Sequence, residues 1–234
     1  MVPLHDNNPT RTTPVITYGL IGLNLFVFLY EIMLPGPALQ EFIETWGVVP
    51  VLLSASFDGQ ATVFVWLTLI TSQFLHGGIL HVAGNMLYLW VFGNNVEDKL
   101  GHIKFLLFYL ICGVLASLFQ WFFSQDSAIP LIGASGAIAG VMGAYILRFP
   151  KAKILTLFPL FIFFTTIRIP AYLFLGFWFV LQAFNSVVSL GMQTAEDTGG
   201  VAYWAHAGGF VVGAVLGPML GLFDDATSAR DRRF

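Results

Sequence analysis

Charge is what this sequence has least of. Only 10% of its 234 residues are Asp, Glu, Lys or Arg, where a soluble domain carries about 25%. So few charges cannot cover a water-facing surface, so most of this surface must face lipid. The net charge of −3 supplies no basic patch, and no nucleic-acid partner is expected. Cysteine is almost missing. Cys112 stands alone in an apolar run, cannot form an intrachain disulfide, and lacks the electropositive setting that makes a thiol reactive. It reads as structural filler. The sequence has no metal-ligand cluster and no glycine-rich phosphate loop ending in Lys-Ser/Thr, so neither metal nor cofactor is expected. A signal peptide is not expected either. Residues 1–14 carry one basic residue, Arg11, and no short apolar core with a cleavage site precedes the long apolar stretch behind them. That stretch reads as a retained first membrane span.

What is abundant is hydrophobicity: 57% of residues are hydrophobic and the mean hydropathy is +0.79. A helix crossing the hydrocarbon needs roughly 20 mostly apolar residues. Five stretches fit, at about 15–34, 105–123, 131–147, 171–190 and 201–223, and a weaker sixth, about 79–96, opens with His81 and Asn85. Two apolar runs, 61–75 and 154–167, are too short to span, and Pro159 breaks the second. They suit re-entrant or interfacial segments. The predicted fold is an all-α membrane protein, a bundle of six transmembrane helices.

The basic residues agree with that count. With six spans, Arg11, Lys99, Lys104, Arg148, Lys151, Lys153, Arg168, Arg230, Arg232 and Arg233 all fall on one side, and the opposite loops hold none. The positive-inside rule then puts both termini in the cytoplasm. The expected setting is a bacterial cytoplasmic membrane.

Polar groups within spans are costly and either join helices or do chemistry. His81 and Asn85 sit four apart on one face of the second span. Gly133-Ala-Ser135-Gly136 heads the fourth span, and Ala205-His206 heads the sixth. In this topology all of them lie at one shallow depth beneath the outer surface. The sixth span carries Gly209, Gly213, Gly217 and Gly221. The fourth offers Ser135, Gly136, Ala139, Gly140, Gly143 and Ala144. Small residues at this spacing let helix backbones meet, which would bring His206 to Ser135. A serine with an adjacent imidazole is the minimum for an activated nucleophile. Asn85 and His81 offer N–H donors to an oxyanion, as do the free N–H groups at the helix start. No carboxylate shares the layer, so the pair would be a dyad. Each feature alone has a plainer reading: Gly and Ser as packing, a membrane His as glue or metal ligand, His81 with Asn85 as interhelical glue. His5 and His102 read as incidental, His76 as structural, and Asn24, Gln182 and Asn185 as glue within their spans. Phe174 to Phe184 is most simply a lipid-facing surface. Its bulk also fits a gate: helix five with loop Gly191–Gly200 would open against the second span to admit substrate.

The segments Phe74-Leu-His76-Gly-Gly-Ile-Leu-His81-Val-Ala-Gly-Asn85, Gly133-Ala-Ser135-Gly136 and Ala205-His206-Ala-Gly-Gly209-Phe-Val-Val-Gly213 resemble the rhomboid intramembrane proteases. Glu97-Asp-Lys-Leu-Gly101 resembles that family's segment after the second span, and the likeness runs over about residues 15–223. It implies a short cytoplasmic tail at 1–14, a six-helix protease domain at 15–223 and a cytoplasmic tail at 224–234. It also implies that Ser135 attacks, His206 is its base, and His81 and Asn85 stabilise the oxyanion. The implied substrates are transmembrane proteins in the bilayer, cut near the outer face. An inactive relative that binds or escorts membrane clients is the alternative, although such relatives lack the Ser or the His. Two positions depart from well-studied members. Leu67 follows Trp66 where bacterial members have Arg, and Ala139 stands where many have an aromatic against the histidine. His206 must then be held by Tyr203, Trp204 or another helix.

Overall fold

The structure is a computed structural model that describes residues 1–57, 59, 64–160, 163–190 and 201–224. It is mostly helical. The helices are α1 (Val15–Glu31), α2 (Gly36–Trp46), α3 (Pro50–Phe57), α4 (Phe64–Thr71), α5 (Ile79–Leu100), α6 (His102–Phe123), α7 (Ser135–Arg148), α8 (Ala171–Ser189) and α9 (Tyr203–Met219). Among the described residues, α6 and α8 are each long and apolar enough to cross a membrane. The pair formed by Phe64–Phe74 and α5, joined through an 81° bend, is a third candidate, and α1 is apolar but shorter. With its exposed apolar side chains, Phe26, Leu80, Ile103 and Val180 among them, the chain is an integral membrane protein.

Three differences from the sequence reading concern local structure. Residues 154–160 and 163–167 are strand rather than a re-entrant or interfacial segment, so the chain is not purely α-helical. β2 (Lys153–Leu160) pairs antiparallel with β3 (Phe163–Pro170), and β1 (Val2–Asp6), from the segment read as a tail, pairs antiparallel with β2. Ile154 and Thr156 point inward with no exposure, the period-two alternation of a strand. Second, helix α7 starts at Ser135 and not at 131. Leu131 is extended and forms a bridge with Val48, because Gly133 takes a φ of +121° that a helix cannot continue through. Third, the described residues between α1 and α5 include the helices α2, α3 and α4. The loop 191–200 read as part of a gate lies outside the described residues.

At the core, α7 is sheathed by α5, α6 and α9, with Tyr145, Phe92, Phe105, Phe108 and Tyr109 fully buried. The α7–α9 seam is backbone against backbone. A Cβ on Gly213 would overlap the backbone of Gly140, one on Gly143 the carbonyl of Phe210, and one on Gly209 the carbonyl of Gly136. The small faces expected to meet do meet, with one exception. Gly221 lies beyond the helix at φ +99°. Cys112 fills space against α7, where a Cβ on Gly140 would come within 2.6 Å of its sulfur.

The start of α1 is held from outside. Its first N–H groups have no intrahelical acceptor, and the buried Glu97 of α5 supplies one. Glu97 Oε1 accepts from Ile16 N–H at 2.9 Å, and Oε2 accepts from Thr17 N–H at 2.8 Å and from its hydroxyl at 2.6 Å. Asp98 likewise accepts from the Arg11 and Thr12 N–H groups. At the other end of α1, the buried Glu31 accepts from His76 N–H at 3.2 Å. This fixes the 75–78 bend that leads into α5.

Candidate active site

Ser135 is the first residue of α7. The first rung of the α7 ladder is Ile138 N–H to Ala134 O at 3.0 Å, so the N–H groups of Ser135, Gly136 and Ala137 precede it. The turn before Ser135 is tight for two reasons. Gly133 has a positive φ, and a Cβ there would lie 2.8 Å from His81 Nε2 and 3.7 Å from Asn85 Nδ2. Only glycine lets this backbone approach the two side chains.

The α7–α9 seam places His206 against the serine. Ser135 Oγ donates to His206 Nε2 at 2.8 Å. On the other side of the ring, His206 Nδ1 donates to Gln182 Oε1 of α8, also at 2.8 Å. The Trp178 ring lies 5.9 Å from the imidazole, one turn before Gln182. Of the three possible supports for His206, the third is realised: helix α8 holds it. Trp204 turns away and stacks on Phe123 at 3.7 Å, and Ala139 is buried in the seam.

The other two expected residues converge on the same turn. His81 accepts the Gly77 N–H at Nδ1, 3.4 Å away, which leaves Nε2–H facing Gly133. Asn85 is buried, and its amide donates one N–H to His76 Nε2 at 3.0 Å. An amide nitrogen has two hydrogens, so the second is free to serve a ligand. His76 is itself buried and lies edge-on to His81 at 5.0 Å. Beside Ser135 is a cavity of about 30 Å³, room for a water or two, lined in part by Ser72, Ser117, Gly133 and Gly136. The set can activate a hydroxyl, offer N–H donors at one point and admit water.

Four supporting residues escaped the functional reading of the sequence. Gln182 and His76 were noticed, the first as glue and the second as structural. Trp178 counts among the bulky side chains of the helix-five gate, and Glu31 has no functional reading. A signal did exist for α8. Phe174, Trp178 and Gln182 recur every fourth residue on one face, and that face turns toward α5 and α9. Phe174, read as lipid-facing, is buried against Tyr88 and Phe92 instead.

A helical membrane protein with a hydroxyl–imidazole pair between two close-packed helices is the class this architecture defines. A sequence model of the Rhomboid domain matches residues 64–223, more than half of the chain, and the protein belongs to the rhomboid family. The chain is 31% identical over 207 residues to Rhomboid protein 1, mitochondrial, of Saccharomyces cerevisiae, covering 86% of this chain and 52% of that protein. It is 36% identical over 131 residues to the Rhomboid protease GluP of Bacillus subtilis, covering 56% of this chain and 24% of that protein. With Rhomboid-like protein 11, chloroplastic, of Arabidopsis thaliana, it shares 25% over 234 residues, covering 97% and 72%. The matches thus cover about half of the yeast relative and about a quarter of the Bacillus one.

Proposed function

We propose that the protein is an intramembrane serine protease that hydrolyses peptide bonds in or near the transmembrane segments of membrane proteins. Ser135 is the nucleophile, His206 its base, and His81 and Asn85 are oxyanion donors. The observation that carries this reading is the 2.8 Å hydrogen bond from Ser135 Oγ to His206 Nε2 at the head of α7. The N–H groups around Gly133 and the relative named as a protease add support.

In this mechanism Ser135 Oγ forms a bond to the scissile carbonyl carbon while its proton passes to His206 Nε2. The carbonyl oxygen becomes an oxyanion, met by Asn85 Nδ2–H, His81 Nε2–H and the N–H groups heading α7. The C–N bond then breaks, and His206 returns the proton to the leaving amine. An acyl group remains on Ser135. Water, for which the adjoining cavity has room, attacks that ester as His206 takes its proton. Collapse frees the carboxyl product and restores the Ser135 hydroxyl.

The proposed domain is residues 15–223, arranged as six spans with both termini in the cytoplasm and the site opening to the other face. The basic residues favour it. Geometry adds an argument on depth. Helix α7 has 14 residues, about 21 Å, against a hydrocarbon core of about 30 Å. With Arg148 at the cytoplasmic boundary, Ser135 lies several ångströms below the outer surface, within reach of a substrate's membrane segment.

A fluorophosphonate probe tests the site directly. The purified protein is expected to be labelled at Ser135, and labelling should vanish in His206→Ala. Absence of label in the folded wild type would overturn the reading in favour of a binding or escort role.

A further inference from the structure

The geometry points to Gln182 as the residue that positions His206, the third member of a hydrogen-bonded Ser–His–Gln set. This rests on the protease reading above and deepens it. For His206 to accept the Ser135 proton, its Nε2 must be unprotonated, so the neutral ring must carry its hydrogen on Nδ1. The partner of Nδ1 decides that tautomer. Gln182 Oε1 can only accept, and at 2.8 Å it fixes the hydrogen on Nδ1. Nε2 is then left as the acceptor for Ser135, also at 2.8 Å. In a serine triad a carboxylate does this work and also stabilises the imidazolium that forms. A neutral amide orients the ring without burying a charge in the bilayer, where a carboxylate at this depth would be expensive.

The rest of the α8 face supports the assignment. Trp178, four residues before Gln182, covers the imidazole at 5.9 Å and packs on Phe210 at 6.1 Å. Phe210 stacks in turn on Phe179 at 4.7 Å. These rings restrict the tilt of His206 while the amide restricts its rotation. Gln182 does not touch the reacting atoms, so it is a positioning residue. The titratable group that acts on the ring is His81 of α5, and Ser135 of α7 faces it as a neutral hydrogen-bond partner.

The test uses the full chain in detergent, with two readouts. Nitrogen NMR of 15N-histidine-labelled protein reads the His206 tautomer without any assay of activity. The neutral ring should be protonated at Nδ1 in the wild type and move toward Nε2–H in Gln182→Leu. Cleavage of a generic transmembrane substrate supplies the second readout. Gln182→Leu should lose on the order of 10²-fold in kcat, part of the 10²–10⁴ that a placed base contributes, with KM little changed. Gln182→Glu should cleave only at higher pH, with the acid limb of its rate profile moved up by about 1–3 units, because a carboxylate favours the imidazolium. If Leu is too disruptive to fold, the Gln182→Glu limb and the wild-type tautomer decide alone. A wild-type ring protonated at Nε2, or an unmoved limb in Gln182→Glu, overturns the proposal. Failure of the protease reading is a different result, wild-type cleavage that survives Ser135→Ala.

Discussion

Both ring nitrogens of His206 are engaged, one by Ser135 and the other by Gln182, and each bond needs the other. Around Gly133 the arrangement is similar. His76 takes one Asn85 hydrogen and so aims the second, while the Glu31 carboxylate holds the His76 backbone. Asn85→Ala is expected to lower kcat by about 10²-fold with a smaller effect on KM, the cost of one missing oxyanion donor. Steady-state kinetics on a transmembrane substrate would show it. A large rise in KM at unchanged kcat would assign Asn85 to substrate positioning instead. That Ser135, His206, His81 and Asn85 come together was legible in the sequence, because each opens an apolar stretch with a polar residue, at spacings that share one layer. Gln182 was not, because its meaning depends on which face of α8 meets α9. A lone amide in a membrane helix has a complete explanation as glue.

At the scale of elements, the α7–α9 seam fixes the distance between Ser135 and His206. Its legibility came from glycine spacing, the one pattern that allows backbones to touch. Gly213→Ala places a Cβ onto the Gly140 backbone, which cannot swing aside as a side chain would. An overpacked contact of this kind costs about 1–3 kcal/mol, and parting the helices also separates His206 from Ser135. The variant is expected to melt lower in detergent and to cleave poorly. Gly176→Ala is the control, since nothing lies within 4 Å of its Cβ position, and it should be neutral or slightly stabilising. The strand pair was less legible. Phe, Leu and Ile occupy both faces of 154–167, which hides the alternation that Ile154 and Thr156 follow. Pro159 further disguised the run as a broken helix. The β1 pairing joins residues about 150 positions apart, beyond the reach of any local pattern.

At the scale of the molecule, the proposed function requires a substrate span to enter from lipid while water reaches Ser135. Helix α8 meets α5 through Phe174, whose ring lies 6.4 Å from Tyr88 and 6.3 Å from Phe92. Bulky side chains there, instead of a small-residue seam, suit a contact that opens. Phe174→Ala should therefore speed cleavage of a membrane-embedded substrate and change cleavage of a short soluble peptide much less. Equal effects on both would place entry elsewhere. Trp178 does not belong in that experiment, since its ring lies against His206 and trimming it should slow both substrates. The proposed topology rests on charge placement, whereas the kind of membrane leaves no such mark, because a bilayer imposes the same hydrophobicity everywhere. The relatives themselves include a Bacillus protein and others named mitochondrial and chloroplastic. The central claim is that Ser135 performs proteolysis in the bilayer, and reconstitution tests it most directly. Purified wild-type protein and Ser135→Ala would be placed in liposomes with a single-span substrate, and the products identified by mass spectrometry. The account predicts cleavage in or near the substrate's membrane segment by the wild type and none by a folded Ser135→Ala protein. Equal cleavage by both proteins would contradict it.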